Sequence, residues 1–221
     1  MRKHRMRLLA LAFALILAVG LGACAKKAGS RAIPPSPTPS PALSPASREA
    51  ASERPPEHES EEAESSETEA SATAEAEALM KLRLNVPQGF VEQNRPDMRS
   101  WAAPDYPKDP ANFNVVYQAS EVSEEQFGAV KADELKRSIE DACVNMGLDV
   151  SVRIESFEDQ TIDSNAAKKM LSVTRINGRN FRQIAYLIHR DGLYTVTFTL
   201  PEGSAWEADF ARSAQSIHFE D

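Results

Sequence analysis

The chain has 221 residues, 25 Lys plus Arg against 33 Asp plus Glu, and a formal net charge of -8. That balance repels phosphate backbones and argues against nucleic acid as a partner. Its two cysteines, Cys24 and Cys143, cannot supply a disulfide framework.

The N-terminus carries Arg2, Lys3, Arg5 and Arg7, then an apolar run from Leu8 to Leu21 that ends in Leu21-Gly22-Ala23-Cys24. The run is shorter than the about 20 residues a membrane-spanning helix needs. A basic start, a short apolar run and small residues before a cysteine read as a secretory signal peptide with a lipobox. Residues 1–23 are therefore expected to be removed, and Cys24 to be the lipidated residue. Its lipid would hold the protein on the extracytoplasmic face of a bacterial membrane. The alternative is an uncleaved signal anchor. Loss of residues 1–23 removes four basic residues and no acid, so the exported chain is more acidic still.

Residues 24–78 change character. Prolines recur with Ser, Thr and Ala from Pro34 to Pro56, and glutamates recur from Glu49 to Glu77. No Leu, Ile, Val, Phe, Trp or Tyr lies between Leu43 and Leu79. Such a stretch buries too little apolar area to offset the entropy of ordering, so it is expected to be a disordered tether. A frayed helix over Ala70 to Leu79 is the one local element it suggests. Its plain role is a spacer; the sharper one is an acidic ligand for a cation or a basic partner.

Residues 79–221 suit one domain. Leu82, Leu84 and Val86 alternate with polar residues as a half-buried strand, and Pro87-Gln88-Gly89 turns the chain. Met98 to Ala102 and Asn114 to Ala119 read as strands, with a proline-rich loop over Asp105 to Pro110 between them. Ser123 and Gln126 form a capping box that opens one helix running to about Met146, with Gly147 as terminator. Phe127, Leu135, Ile139, Cys143 and Met146 give it an apolar face. Cys143 then reads as a buried small hydrophobe rather than a reactive thiol, because Glu140, Asp141 and Asp149 surround it with negative charge.

Strands follow over Val150 to Glu155, Lys169 to Ile176, Phe181 to Arg190 and Leu193 to Leu200. Asn177-Gly178 and Asp191-Gly192 are hairpin signals. Ser204 with Glu207 suggests a second capping box and a helix through about Ser213, with Trp206, Phe210 and Ala214 on its buried face. Ile217 and Phe219 close the domain. The order describes an α+β fold, an antiparallel sheet with helices packed on its faces.

The domain resembles the PsbP-like family, which includes a photosystem II accessory protein, DcrB-type bacterial lipoproteins and a Ran-binding import factor. The resemblance rests on Leu84-Asn85-Val86-Pro87-Gln88-Gly89-Phe90, Asn112-Phe113-Asn114-Val115-Val116 and the Arg175-Ile176-Asn177-Gly178-Arg179 hairpin. Tyr194-Thr195-Val196-Thr197-Phe198 and Ser216-Ile217-His218-Phe219 complete it. It implies an α/β/α sandwich, and roles in binding or assembly rather than a shared catalysis.

Chemistry-bearing motifs are sparse. There is no His-Glu-x-x-His, Cys-x-x-Cys, Gly-x-Ser-x-Gly or phosphate loop. Asp159, Asp163 and Asn165 crowd one expected loop without calcium-loop spacing. His189 reads as a solvated hairpin residue rather than a base. No metal, cofactor or catalytic residue is expected. The candidate binding surface is Trp101 with Tyr106, aromatics beside a loop stiffened by Pro104, Pro107 and Pro110. Burial of Trp101 in the core is the competing reading. The functional expectation is a membrane-anchored, non-catalytic binding or assembly module whose partner is an envelope protein or small ligand. The alternative is an envelope hydrolase with an unrecognised active site. Replacing Cys24 with serine should release the protein from membranes or leave its precursor unprocessed. Membrane fractionation of a normally processed Cys24→Ser form would contradict the lipobox.

Overall fold

The computed structural model describes residues 74–95, 98–176 and 178–220. The signal segment, Cys24 and residues 25–73 of the expected tether lie outside them, whereas its last residues, 74–78, are helical, with the Ala78 carbonyl accepting from Tyr194 Oη at 3.0 Å. Among the described residues no helix is long and apolar enough to cross a membrane.

A helix over 74–81 (α1) leads into β1 (Leu82–Arg83). Then come β2 (Val91–Gln93), β3 (Arg99–Ala102) and β4 (Asn112–Gln118). Helices α2 (Glu124–Gly128) and α3 (Ala132–Asn145) follow. Four long strands come next: β5 (Val150–Ile162), β6 (Asn165–Ile176), β7 (Arg179–His189) and β8 (Leu193–Pro201). Helix α4 (Glu207–Gln215) and β9 (His218–Phe219) end the fold. Seven strands form one antiparallel sheet in the order β2-β3-β4-β8-β7-β6-β5, and β1 pairs with β9 in a separate ribbon. The fold is α+β, as the sequence implies.

Side-chain alternation splits the sheet between two cores. On one face Tyr194, Val196 and Phe198 of β8 pack with Phe113, Ile188 and Phe210 of α4. Leu79, Leu82, Ile217 and Phe219 join them, so α1 and the β1–β9 ribbon belong to this side. On the other face Leu187, Ala185 and Met170 receive Phe127, Leu135 and Cys143 of α2 and α3.

Five local readings differ from the structure. The expected strand over Leu82 to Val86 stops at Arg83. Beyond it the Asn85 backbone turns to α4, its N–H donating to Ser216 Oγ at 2.7 Å and its carbonyl accepting from Ser213 Oγ at 2.6 Å. The short edge strand β2 had no alternation to announce it. The helix opened by Ser123 has its capping box, but it ends at Gly128 and restarts at Ala132. The Gly128 carbonyl, which a continuous helix would give to residue 132, accepts instead from Lys168 Nζ at 3.0 Å. Strand β5 runs on through the polar stretch to Ile162, with a bulge between Ile154 and Ser156. Asp163 and Ser164, both at positive φ (47° and 64°), then make a tight turn. Asp159, Asp163 and Asn165 therefore do not share one loop. Helix α4 opens without a side-chain cap, and Ser204 Oγ accepts from Trp206 N–H rather than closing a box with Glu207.

Both hairpin signals hold. Ile176 pairs with Arg179 around Gly178, at φ +80°, while Asn177 lies outside the described residues. Gly192, at φ +140°, has no room for a side chain, since a Cβ there would sit 2.6 Å from Tyr117 Oη.

Trp101 belongs to the first core. It is 4% exposed and stacks on Phe113 at 4.6 Å with an interplanar angle of 13°. The Arg99 guanidinium lies 4.9 Å from its ring centroid. The reading of Trp101 as a contact surface is thus corrected: its side chain fills the sheet face beneath the loop. Truncation by Trp101→Ala should cost about 3–5 kcal/mol of unfolding free energy in a denaturant titration. A loss below about 1 kcal/mol would show the ring is not part of the core.

Candidate functional site

The concave surface lies on the first-core side of the sheet, where α4 leaves β5 and β6 partly uncovered. The register places Arg153, Val173, Arg182 and Leu200 side by side on four successive strands. Because paired residues point to the same face, all four side chains rise together. Two strand spacings put the Arg153 and Arg182 backbones about 10 Å apart with Val173 between them. The loop after β8 and the first turn of α4 face this row, bringing Glu202, Ser204 and Glu207. The hollow between them has a volume of about 280 Å³. Val173, Leu200 and Pro201 supply apolar lining, and Asn180 stands at the rim.

Both of its arginines are already paired. Arg182 Nη1 is 2.5 Å from Glu207 Oε1, and Arg153 Nη2 is 3.0 Å from Glu155 Oε1. The side chains are substantially exposed, so these pairs orient the guanidinium groups more than they stabilise the fold. Arg175 and Arg179 extend the basic character along the β6–β7 hairpin, both exposed. A second hollow of about 410 Å³ lies further along α4, lined by Lys169, Tyr186, Ala214 and Ile217. Lys169 Nζ sits 5.9 Å from the Tyr186 ring centroid, and burial pushes the Tyr186 phenol upward.

The two aromatics of the expected surface, Trp101 and Tyr106, differ in exposure. Tyr106 is 39% exposed, sits in the 103–111 connection and does not line the hollow. That connection is fixed from below, because Trp206 Nε1 donates to Asp109 Oδ2 at 2.8 Å. Trp101 and Tyr106 are not brought together as one surface.

Other reactive side chains have structural employment. Cys143 is fully buried, and burial, with Glu140 beside it, pushes its thiol up to about 11. Lys168, 3% exposed, donates to Asp159 Oδ1 at 2.5 Å and to the Gly128 carbonyl, between the rings of Phe127 and Phe157. His189 is not a solvated residue. Its Nε2 lies 2.6 Å from the Val122 carbonyl, which makes it the donor, and its ring stacks on Phe127 at 5.5 Å. Asp163 Oδ2 accepts from the Phe219 N–H at 2.8 Å, and Asn165 Nδ2 donates to the Asp163 carbonyl at 2.7 Å. Among the described residues no cluster of His, Cys, Asp and Glu could hold a metal ion.

The hollow escaped the sequence reading. Its residues are scattered over four strands, a loop and a helix start, and only the pairing register aligns those on the sheet. The one signal in the chain was the run of arginines at 175, 179 and 182 about the Asn177-Gly178 turn, in an otherwise acidic protein.

No family model matches the chain, and no curated protein matches it significantly in sequence. Solved structures do match. The solution structure of cyanobacterial PsbP (CyanoP) from Synechocystis sp. PCC 6803 aligns with a TM-score of 0.51 at 13% identity. The alignment covers 63% of this chain and 87% of that one. A protein of unknown function, PA94 from Pseudomonas aeruginosa, aligns at a TM-score of 0.40 and 18% identity, over 62% of this chain and 95% of that one. The second score is too low to carry an argument. The chain has a PsbP-like fold, and at this identity the likeness extends to the fold alone.

Proposed function

We propose that this protein is a lipid-anchored, extracytoplasmic lipoprotein that serves the bacterial envelope as a non-catalytic binding or assembly module. The arginine-lined hollow is its recognition site. One observation carries the reading. The charged side chains lining the hollow are Arg153, Arg182, Glu202 and Glu207 over an apolar floor, with Arg182 held by Glu207 and Arg153 by Glu155 outside the lining. Guanidinium groups oriented this way keep further donors for a ligand, and apolar lining beneath them gives a small molecule or chain something to bury. The address comes from the N-terminal sequence: a basic start, a short apolar run and Cys24. This is also the organisation that resemblance to DcrB-type lipoproteins implies, with Cys24 as the membrane attachment. Tyr106, exposed on its own loop, is a second contact point for an assembly partner.

The test places a photo-cross-linking side chain at Asn180, on the rim, or at Glu125, remote on α2, in the full-length protein in intact envelopes. The Asn180 position should give discrete adducts that fade when Arg182→Gln is added. The Glu125 position should give none of the same mass. Identical adducts from both positions, unaffected by Arg182→Gln, would overturn the hollow as a recognition site.

A further inference from the structure

The two walls of the hollow carry opposite charge. Arg153 and Arg182 rise from the sheet, while Glu202 and Glu207 come from the β8–α4 loop and the first turn of α4. The floor between them is Val173, Leu200 and Pro201, and the neutral donors and acceptors at hand are Asn180 and Ser204. At about 280 Å³ the space is just under the about 300–1,000 Å³ that drug-sized ligands occupy. From this arrangement we infer that the hollow binds a short zwitterionic peptide with a small apolar side chain.

The free α-carboxylate lies against the Arg153 and Arg182 guanidinium groups, whose planar forks match its two oxygens. The free α-ammonium faces Glu202 and Glu207. The apolar side chain rests on Val173 and Leu200, and the peptide amide meets Asn180 or Ser204. The Arg182–Glu207 pair spans the two walls. Both partners are substantially exposed, at 40% and 59% of the side chain, so the pair opens at little cost and each member exchanges its partner for one end of the ligand. Overall charge favours the same ligand class. A chain of net charge -8 repels polyanions at long range, whereas a neutral zwitterion approaches unopposed and still engages both local signs.

This inference rests on reading the protein as a binding module, and its test fails separately from that reading. The full-length protein is titrated with the dipeptide Ala-Val, its N-acetyl form, its C-terminal amide and inorganic phosphate, with amide NMR shifts as the readout. Ala-Val should bind saturably and shift the Val173 and Leu200 amides. Blocking either end should weaken binding about threefold to fivefold, the scale of one solvent-exposed ion pair. Arg182→Gln should weaken Ala-Val to a similar degree with an unchanged melting temperature. Equal binding of the free and blocked peptides would overturn the zwitterion. So would phosphate shifting the same amides, which would mark an anion site. Absence of saturable shifts at millimolar Ala-Val would also overturn it, while adducts at Asn180 would still uphold the binding-module reading.

Discussion

Strand β8 is buried on both faces along its length, and the rest of the molecule is arranged around that constraint. Every residue from Leu193 to Leu200 is at most 5% exposed. The even positions, Tyr194 to Leu200, feed the core beneath α4, and Leu193 and the threonines between them face the α3 side. A strand so placed needs a paired strand at each edge and cover on each side. Strands β4 and β7 supply the edges, with Phe113 opposite Phe198 and Ile184 opposite it from the other flank. Burying each large apolar side chain contributes roughly 1.5–3 kcal/mol, so this strand concentrates much of the favourable term in few residues. The start of β8 is fixed from outside. Tyr117 Oη donates to the Asp191 carbonyl at 2.6 Å, and the absence of a side chain at Gly192 lets the tyrosine ring sit there.

The site follows from how that cover is distributed. Phe210 commits α4 to the β4–β8 side of the sheet, where it meets Phe113 at 6.0 Å and Phe198 at 5.0 Å. The β5–β6 side of the same face then keeps half-buried Leu171 and Val173 beside charged neighbours. The hollow is the seam between a helix held over one half of the sheet and strands that extend past it. Its arginines are therefore mounted on the sheet, with the opposing glutamates on a loop and a helix start.

Legibility in the sequence tracked how local the determining physics was. The hairpins at Asn177-Gly178 and Asp191-Gly192, the Ser123 capping box and the long β8 run were all visible, because each is set by neighbouring residues. Cys143 was readable as buried from its helical spacing alone. Trp101 stood open between two fates until its cross-strand partner, Phe113, decided for the core. At the helix break Gly128 was a local hint, but the partner that takes its carbonyl, Lys168, lies forty residues away. The polar half of β5 was invisible for a related reason: as an edge strand its outward side chains need no apolar alternation. The hollow needed the register of β5, β6, β7 and β8 together, which is the least local information in the fold.

Strand β8, shared by both cores, ties them into one cooperative unit. Native-state hydrogen exchange tests it most directly, by comparing the amides of Leu193–Leu200 with the global unfolding free energy from denaturant titration. Exchange of those amides only through global unfolding, with α4 and α3 amides opening at lower free energies, is the predicted result. Exchange of the β8 amides through a sub-global opening well below the global value would contradict it, and would show that the two cores open independently of the strand they share.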